Sequence, residues 1–156
     1  MTLRSGPLNE SMRVDVLPFE PGDYEQVMAL WRATEGLTLR EVDSRDAILA
    51  YVARNSGLSF VAREGDVLAG AVLAGTDGRR GYLQHLAVAP TYRGRGIGRT
   101  LAERVIEALS AAGIAKCHLM VREENEAAKA FWEHLGWMAR DDISVMSHAD
   151  PGVENP

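Results

Sequence analysis

The feature that most constrains this chain is a glycine-rich and arginine-rich run at residues 93–98, which reads Arg-Gly-Arg-Gly-Ile-Gly. An apolar stretch that ends at Val88 precedes this run, as expected of a strand. After the run, an apolar side chain recurs at every fourth position: Ile97, Leu101, Val105 and Leu109. That spacing is typical of a helix with one apolar face. The sequence therefore predicts a tight strand-to-helix turn at residues 93–98.

A turn of this composition is suited to binding an anion. Glycines let the backbone come close to a ligand with its N–H groups pointing outward, and a helix N-terminus adds free N–H groups and about half a positive charge. Arg93, Arg95 and Arg99 add formal charge here, although the chain of 156 residues has a net charge of -5. A phosphate or pyrophosphate is the expected ligand, and a turn without any ligand is the alternative.

Two common phosphate-binding loops do not fit the run. A Walker A loop needs a glycine where Arg93 stands and a lysine where Arg99 stands. A Rossmann fingerprint needs a third glycine at position 99 and an acidic residue at the end of the next strand, where Met120 and Val121 stand. The predicted anion site therefore belongs to another class of protein.

The remaining sequence predicts an α+β or mixed α/β fold. Runs of apolar residues predict strands at residues 14–17, 59–62, 67–73, 82–88, 117–121 and 143–146. Apolar residues at helical spacing predict four helices, which begin near Asp23, Asp43 or Ser44, Ile97 and Asn125. The order is a short strand, two helices, an antiparallel meander and then alternating helices and strands.

Composition fits one compact domain, with 46% hydrophobic and 25% charged residues. We expect a flexible lead-in at residues 1–12, a single domain at residues 13–147 and a loose tail at residues 148–156. A single cysteine, Cys117, excludes an internal disulfide and a cysteine-based zinc site. The acidic balance argues against a nucleic-acid partner, and the absence of a long apolar run argues against a membrane. A cytoplasmic, metal-independent protein is expected.

Residues 86–98 resemble the acetyl-coenzyme-A signature of the GCN5-related N-acetyltransferase (GNAT) family. The core of that signature, Arg/Gln-x-x-Gly-x-Gly/Ala, falls on Arg93, Gly96 and Gly98. Residues 125–137 resemble the family's second motif, Asn-x-x-Ala-x-x-Phe-Tyr-x-x-x-Gly-Phe, and the two motifs have the family's order and separation. The resemblance extends over about residues 13–146, and the branch similar to bacterial ribosomal-protein-alanine acetyltransferases looks nearest.

The resemblance implies a GNAT fold, in which about four helices flank a central, mostly antiparallel twisted sheet. It implies acetyl-coenzyme A (acetyl-CoA) as the co-substrate, no metal, and a primary amine that attacks directly in a ternary complex. The acceptor would be a small molecule or a peptide. Whether the chain forms a homodimer stays an open question. The alternatives are a non-catalytic acyl-CoA-binding or regulatory module and, less favoured, a nucleotide-binding protein.

The resemblance also implies how the cofactor would bind. The backbone of residues 86–88 would pair with the pantetheine arm, with the Leu86 N–H near the thioester oxygen, and N–H groups at residues 94–99 would hold the pyrophosphate. The complete implied cofactor-binding set is Leu86, Ala87, Val88, Arg93, Gly94, Arg95, Gly96, Ile97, Gly98, Arg99, Asn125, Ala128 and Trp132.

Two positions depart from the family's catalytic pattern. The tyrosine that protonates the leaving thiolate in many members is Trp132 here, and an indole N–H does not release its proton near neutral pH. The glutamate base of the ribosomal branch is Met120 here. Period-two alternation places Tyr82, Gln84 and Leu86 on one strand face, which the family uses for the acceptor. These three are the catalytic candidates, Leu86 through its N–H and the other two through a water.

Alternation places His85 on the opposite face of this strand and predicts a hydrogen-bonded core histidine. His118 is a weaker candidate for the cleft, and Cys117 is expected to fill the core. The region joining the first two helices is where the family binds its acceptor. This region carries three acidic residues, Glu35, Glu41 and Asp43, and one arginine, Arg40. The resulting excess of negative charge suits a cationic amine.

Overall fold

The computed structural model describes residues 13–153, which form two compact units that divide after Met120. The helices and strands of the first unit are β1 (Asp15–Pro18), α1 (Tyr24–Ala33), α2 (Arg45–Arg54), β2 (Phe60–Glu64), β3 (Val67–Thr76), β4 (Gly81–Val88), α3 (Ile97–Ala111) and β5 (Cys117–His118). Short 3-10 turns lie at Pro21–Asp23, Glu41–Asp43 and Pro90–Tyr92. The second unit contains α4 (Glu126–His134).

The five strands of the first unit form one sheet in the order β1-β2-β3-β4-β5. Neighbouring strands are antiparallel except β4 and β5, which are parallel because α3 connects them. The described residues therefore confirm a mixed α/β fold with a mostly antiparallel sheet and four α-helices. No helix among residues 13–153 is long and apolar enough to cross a membrane.

Helices cover both faces of this sheet. On the first face, Trp31 of α1 and Ile48 of α2 pack in one core with Ala71 and Leu73 of β3; we call this the α1/α2 face. Because side chains alternate along a strand, Gly70 belongs to the other face. A Cβ at Gly70 would lie 3.1 Å from Leu101 Cδ1 of α3. We call this second side the α3 face.

Two strand predictions are wrong. Strand β5 has two residues instead of the expected five at 117–121, and Met120 is 76% exposed. Residues 143–146 form no strand, and their apolar side chains are exposed: Ile143, Val145 and Met146. β-branched and apolar residues favour a pleated, half-buried surface, but a strand also needs a partner to pair with. The expected lead-in at residues 1–12 lies outside the described residues, and the domain boundary at residue 147 stays a prediction.

Candidate active site

Strand β4 has one backbone edge that is largely free. Its other edge pairs with β3 from Gly81 to Val88. On the free side, β5 pairs only with Gly81 and Tyr82, and no other strand of the described chain pairs with residues 83–88. An unpaired strand edge is a template for an added extended chain. This edge is the segment where the family resemblance places the pantetheine arm.

A β-bulge interrupts β4 in the middle of that edge. Leu73 of β3 pairs with Gln84, and Ala71 pairs with Ala87. The single residue between them on β3 therefore lies opposite both His85 and Leu86. His85 has φ of 52°, the only positive φ of a non-glycine residue among residues 13–153. A bulge leaves backbone groups outside the regular ladder and changes the direction of a side chain. A bulge at Leu86 agrees with a backbone N–H that is directed at a ligand.

The bulge overturns the predicted orientation of His85. Regular alternation would put its ring on the α3 face, whereas the ring contacts Trp31 of α1 with a centroid distance of 4.9 Å. Ala87, which alternation grouped with Leu83, also belongs to the core of the α1/α2 face. The alternation of side chains along β4 therefore reverses at the bulge. Contrary to the prediction, Leu86 does not lie on the same face as Tyr82 and Gln84. Its candidate role depends on the backbone N–H and does not need that face.

His85 is hydrogen-bonded to Asp43, which sequence reasoning counted only as an acidic surface residue. The Nε2 atom of His85 lies 2.7 Å from Asp43 Oδ1. The Asp43 side chain is 6% exposed, and its Oδ2 accepts the backbone N–H of Arg40 at 2.9 Å. The two residues are 42 positions apart in sequence, so no local sequence pattern predicts this hydrogen bond.

The glycine run adopts the backbone that an anion site requires. Gly94 and Gly96 have φ of 78° and 76°, which residues other than glycine rarely adopt. A Cβ at either position would meet no atom within 4 Å, so the space beside the turn is open. Gly96 is the N-cap of α3 and provides no side-chain cap, whereas Ser44 and Asn125 cap α2 and α4. The start of α3 is therefore open to an external anion.

The first turn of α3 presents unpaired N–H groups at this opening. The first helical hydrogen bond runs from the Thr100 N–H to the Gly96 carbonyl at 3.0 Å, so the N–H groups of residues 97–99 precede it. No acidic residue lies in this first turn. Free N–H groups and the helix dipole stabilise phosphate at such a position. The residues present therefore fit the pyrophosphate of coenzyme A.

The three arginines near the turn are in different environments. Arg93 donates from Nε to the carbonyl of Val88 at 3.2 Å and so ties the turn to the end of β4. The guanidinium of Arg95 lies 5.1 Å from the centre of the Tyr92 ring. The exposed Arg99 pairs with Glu103 at 3.2 Å. Arg93 therefore positions the loop, and the exposed Arg95 and Arg99 lie where they add charge around it.

The other two catalytic candidates on β4 lie away from the bulge. Tyr82 donates its hydroxyl to Asp77 Oδ2 at 3.3 Å, in the turn between β3 and β4. Backbone N–H groups of Arg80 and Arg79 lower the pKa of Asp77. Four residues of strand, about 13 Å, separate Tyr82 from Leu86. The Tyr82 ring lies 6.1 Å from that of His118, and Gln84 is exposed. The structure therefore does not bring the Tyr82 hydroxyl to Leu86.

Helix α4, in the second unit, carries the remaining predicted cofactor residues. Asn125 Oδ1 accepts the N–H of Ala128 at 3.1 Å and so caps the helix. Trp132 is 8% exposed, and its ring lies 5.0 Å from the rings of both Phe131 and Trp137. The cofactor contacts of Asn125, Ala128 and Trp132 stay predictions.

Comparison with known proteins identifies the family. The model of the acetyltransferase (GNAT) family matches residues 24–137. An acetyltransferase of Yersinia pestis is 33% identical over 132 residues, which cover 85% of this chain and 93% of that protein. An acetyltransferase of Pectobacterium atrosepticum is 34% identical over the same shares of the two chains. The chain belongs to the GNAT acetyltransferase family.

Solved structures show the same fold. The PaiA N-acetyltransferase of Thermoplasma acidophilum in complex with coenzyme A has a TM-score of 0.75 at 21% identity, over 83% of this chain and 92% of that one. Ard1 of Thermoplasma volcanium has a TM-score of 0.72 at 19% identity, over 81% and 84%. With the family established, the activity of the chain is N-acetyl transfer from acetyl-CoA.

Proposed function

We propose that the chain acetylates a primary amine that binds on the α1/α2 face beside the bulge of β4. The observation that supports this most directly is the free edge at residues 83–88, which leads into the glycine turn and the N-terminus of α3. A pantetheine arm needs an extended backbone edge, and a pyrophosphate needs outward N–H groups. This chain provides the two in succession.

Each part of this edge has a proposed role. Residues 86–88 pair with the pantetheine arm, and the N–H groups of residues 94–99 hold the pyrophosphate. The Leu86 N–H donates to the thioester oxygen as negative charge develops there, a contribution of roughly 3–4 kcal/mol in sites of this kind. For Asn125, Ala128 and Trp132, a role in cofactor binding rests on the family resemblance alone. The described residues contain no group of three His, Cys, Asp or Glu side chains that could hold a metal ion.

Direct attack by the amine agrees with the state of the only cysteine. Burial raises the pKa of the Cys117 thiol to about 11. A thiol must ionise to act as a nucleophile, so an acetyl-cysteine intermediate is disfavoured at neutral pH. The amine itself is then the nucleophile, and it must arrive in, or be brought to, its neutral form.

This pKa makes a separate prediction about the reactivity of Cys117. At pH 8 the native protein should react with a disulfide reagent about 100-fold more slowly than the urea-unfolded protein, because the thiolate is the reactive form. Absorbance at 412 nm with 5,5′-dithiobis(2-nitrobenzoate) measures both rates. A native thiol that reacts as fast as the unfolded one would contradict the raised pKa.

The proposed acceptor is a cationic amine, in a peptide or a small molecule. Glu35 and Glu41 are exposed between α1 and α2, and attract positive charge. Asp43, expected to belong to this exposed group, is buried and hydrogen-bonded instead. Among neighbours of the same fold, Naa50 of Arabidopsis thaliana was solved with the bisubstrate analogue CoA-Ac-MVNAL and AAC(6')-Iy with CoA-S-monomethyl-acetylneamine.

A panel of acceptors tests the proposed function. Polyamines, aminoglycosides, lysine peptides and peptides with free N-termini are each incubated with acetyl-CoA, and release of free thiol is measured. We expect acetyl transfer to at least one cationic amine, with the acetyl group located on nitrogen by mass spectrometry. Tight binding of coenzyme A without thiol release above background for any amine would instead identify a non-catalytic acyl-CoA-binding module.

A further inference from the structure

We propose that His85 is the base that removes a proton from the acceptor amine, and that Asp43 is the positioning residue that holds its ring. This assignment rests on the proposed function, since that function places the amine beside Leu86. The family positions expected to supply proton transfer hold Met120 and Trp132, which have no group suited to it at neutral pH. His85 is the titratable residue adjacent in sequence to Leu86.

The bulge is what brings His85 to the acceptor side. A positive φ is a strained conformation for a residue that is not glycine, and it persists only where the surroundings enforce it. Here the fully buried Trp31 packs edge-on against the ring, and Asp43 hydrogen-bonds to it. In a regular strand the same side chain would enter the α3 face. The bulge that includes Leu86, the proposed N–H donor, therefore also directs the imidazole to the α1/α2 face.

The hydrogen bonds at Asp43 determine which nitrogen is basic. A carboxylate can only accept, so the bond to Asp43 Oδ1 requires a hydrogen on His85 Nε2 and leaves the lone pair on Nδ1. His85 Nδ1 has no hydrogen-bond partner among residues 13–153. The His85 side chain is 18% exposed, and Nδ1 is not among the fully buried side-chain atoms without a partner there, which are Trp31 Nε1 and Glu64 Oε2. An oriented imidazole with one open lone pair is the arrangement of a general base.

Asp43 is itself held in place by several elements. It ends the 3-10 turn Glu41–Asp43, and its Oδ2 accepts the Arg40 N–H. Tyr24 of α1 donates its hydroxyl to the Asp43 backbone carbonyl at 3.1 Å. The next residue, Ser44, caps α2. These contacts fix the carboxylate against the sheet, so that the His85 ring has one well-defined partner.

Asp43 is the charged group in contact with this imidazole. From α1 the contacting residue is the neutral Trp31, and Tyr24 reaches only the Asp43 carbonyl. Strand β3 contributes the apolar Ala71 and Leu73 to this face. Tyr82 of β4 donates to Asp77, and Arg45 of α2 lies over the Tyr24 ring and pairs with Glu25 of α1. The other titratable or charged groups on these two helices are Arg32 of α1 and Asp46, Tyr51 and Arg54 of α2.

The proton and bond changes balance without another reagent. An ammonium N–H bond of the acceptor breaks, and its proton goes to His85 Nδ1. The neutral nitrogen forms a bond to the thioester carbon, and the C–S bond breaks with its electron pair on sulfur. The nitrogen then loses its second proton, which neutralises the thiolate, while His85 returns its proton to solvent. The products are an N-acetylated amine, coenzyme A as the thiol and one proton.

The test compares His85→Gln with His134→Gln, a substitution of an exposed histidine on α4. Glutamine can still donate to Asp43 but cannot take a proton near neutral pH. We expect kcat/KM for the amine at pH 8 to fall by about 10²–10⁴ in His85→Gln and to be unchanged in His134→Gln. Calorimetry should show wild-type affinity for coenzyme A in both variants.

The pH profile separates a base from a structural contact. A general base acts only while its lone pair is free, so the ratio of wild-type to His85→Gln kcat/KM should shrink when the pH is lowered from 8 to 5. A purely structural role would give a ratio that does not vary with pH, which would overturn the assignment. Equal kcat/KM for His85→Gln and His134→Gln would also overturn it.

A second variant covers the case in which His85→Gln does not fold, which thermal denaturation detects. Asp43→Asn keeps the hydrogen-bonding shape but removes the charge that orients the ring. We expect a lower kcat with an acid limb displaced from that of wild type, and an unchanged KM for acetyl-CoA. An unchanged profile would contradict the role of the pair.

Failure of the proposed function can be told from failure of this assignment. Wild-type protein that binds coenzyme A but acetylates no amine would overturn both. Active wild-type protein, with variants that are also active and whose activity relative to wild type does not vary with pH, would overturn only the assignment.

Discussion

We expect Gly96→Val to weaken the binding of coenzyme A by roughly 10- to 150-fold. The space beside Gly96 is open, with no atom within 4 Å of an added Cβ. A valine side chain would occupy the position of the phosphate and prevent some of its hydrogen bonds to the backbone. A hydrogen bond to a charged group contributes about 1.5–3 kcal/mol, which corresponds to this range of affinity. Isothermal titration calorimetry with coenzyme A measures it.

Backbone strain must be separated from this effect, because Gly96 has φ of 76°. Gly113 provides a matched control at the other end of α3, with φ of 83° and equally open surroundings. Gly113→Val should lower the melting temperature about as much as Gly96→Val does, since both place a β-branched residue at positive φ. Only Gly96→Val should lower the affinity. An equal loss of affinity in both variants, or none in either, would show that the pyrophosphate binds elsewhere.

The glycine turn could be predicted because its determinants are local. The positive φ of Gly94 and Gly96 is available to glycine alone at low cost, and the helix that follows is visible in its own spacing. The cap residues Ser44 and Asn125 also act on N–H groups only three residues away. Contacts between residues so close in sequence lie within a short window, so the turn and its suitability for an anion could be predicted without knowledge of the fold.

The bulge at His85 could not be predicted, because it depends on another strand. Residues 82–88 alternate as a regular strand would, and only the pairing with β3 shows that two residues oppose one. Asp43 belongs to a turn far away in sequence and reads as one acidic residue among several. The short β5 and the missing strand at residues 143–146 have the same cause, since pairing partners are chosen by the fold. Sequence reasoning therefore predicted the glycine turn that the structure shows, and assigned His85 and Ala87 of β4 to the wrong face of the sheet.

The bulge also leads to a prediction about Leu86 with an effect as large. We expect Leu86→Pro to lower kcat by about 10²–10³ relative to Leu86→Ala, because proline has no N–H to donate to the thioester oxygen. Leu86→Ala keeps the backbone N–H and shortens only the side chain, so it is the matched reference. Steady-state kinetics with saturating acetyl-CoA measures kcat for both variants with the amine found by the acceptor panel.

Sheets admit proline at positions like that of Leu86, but a proline disfavours the positive φ of the preceding His85, so both substitutions are compared in a His85→Gln background, where displacement of the proposed base no longer contributes. Proline occurs in sheets at bulges and on free edges, where its missing N–H breaks no ladder bond. Leu86 lies at a bulge, on the edge that β5 leaves unpaired. Leu86→Pro should therefore fold, with circular dichroism like that of Leu86→Ala, and should still bind coenzyme A through the glycine turn. If the folded variant kept a kcat within about tenfold of Leu86→Ala, the oxyanion would be stabilised by another group, because loss of a single such donor costs more than this.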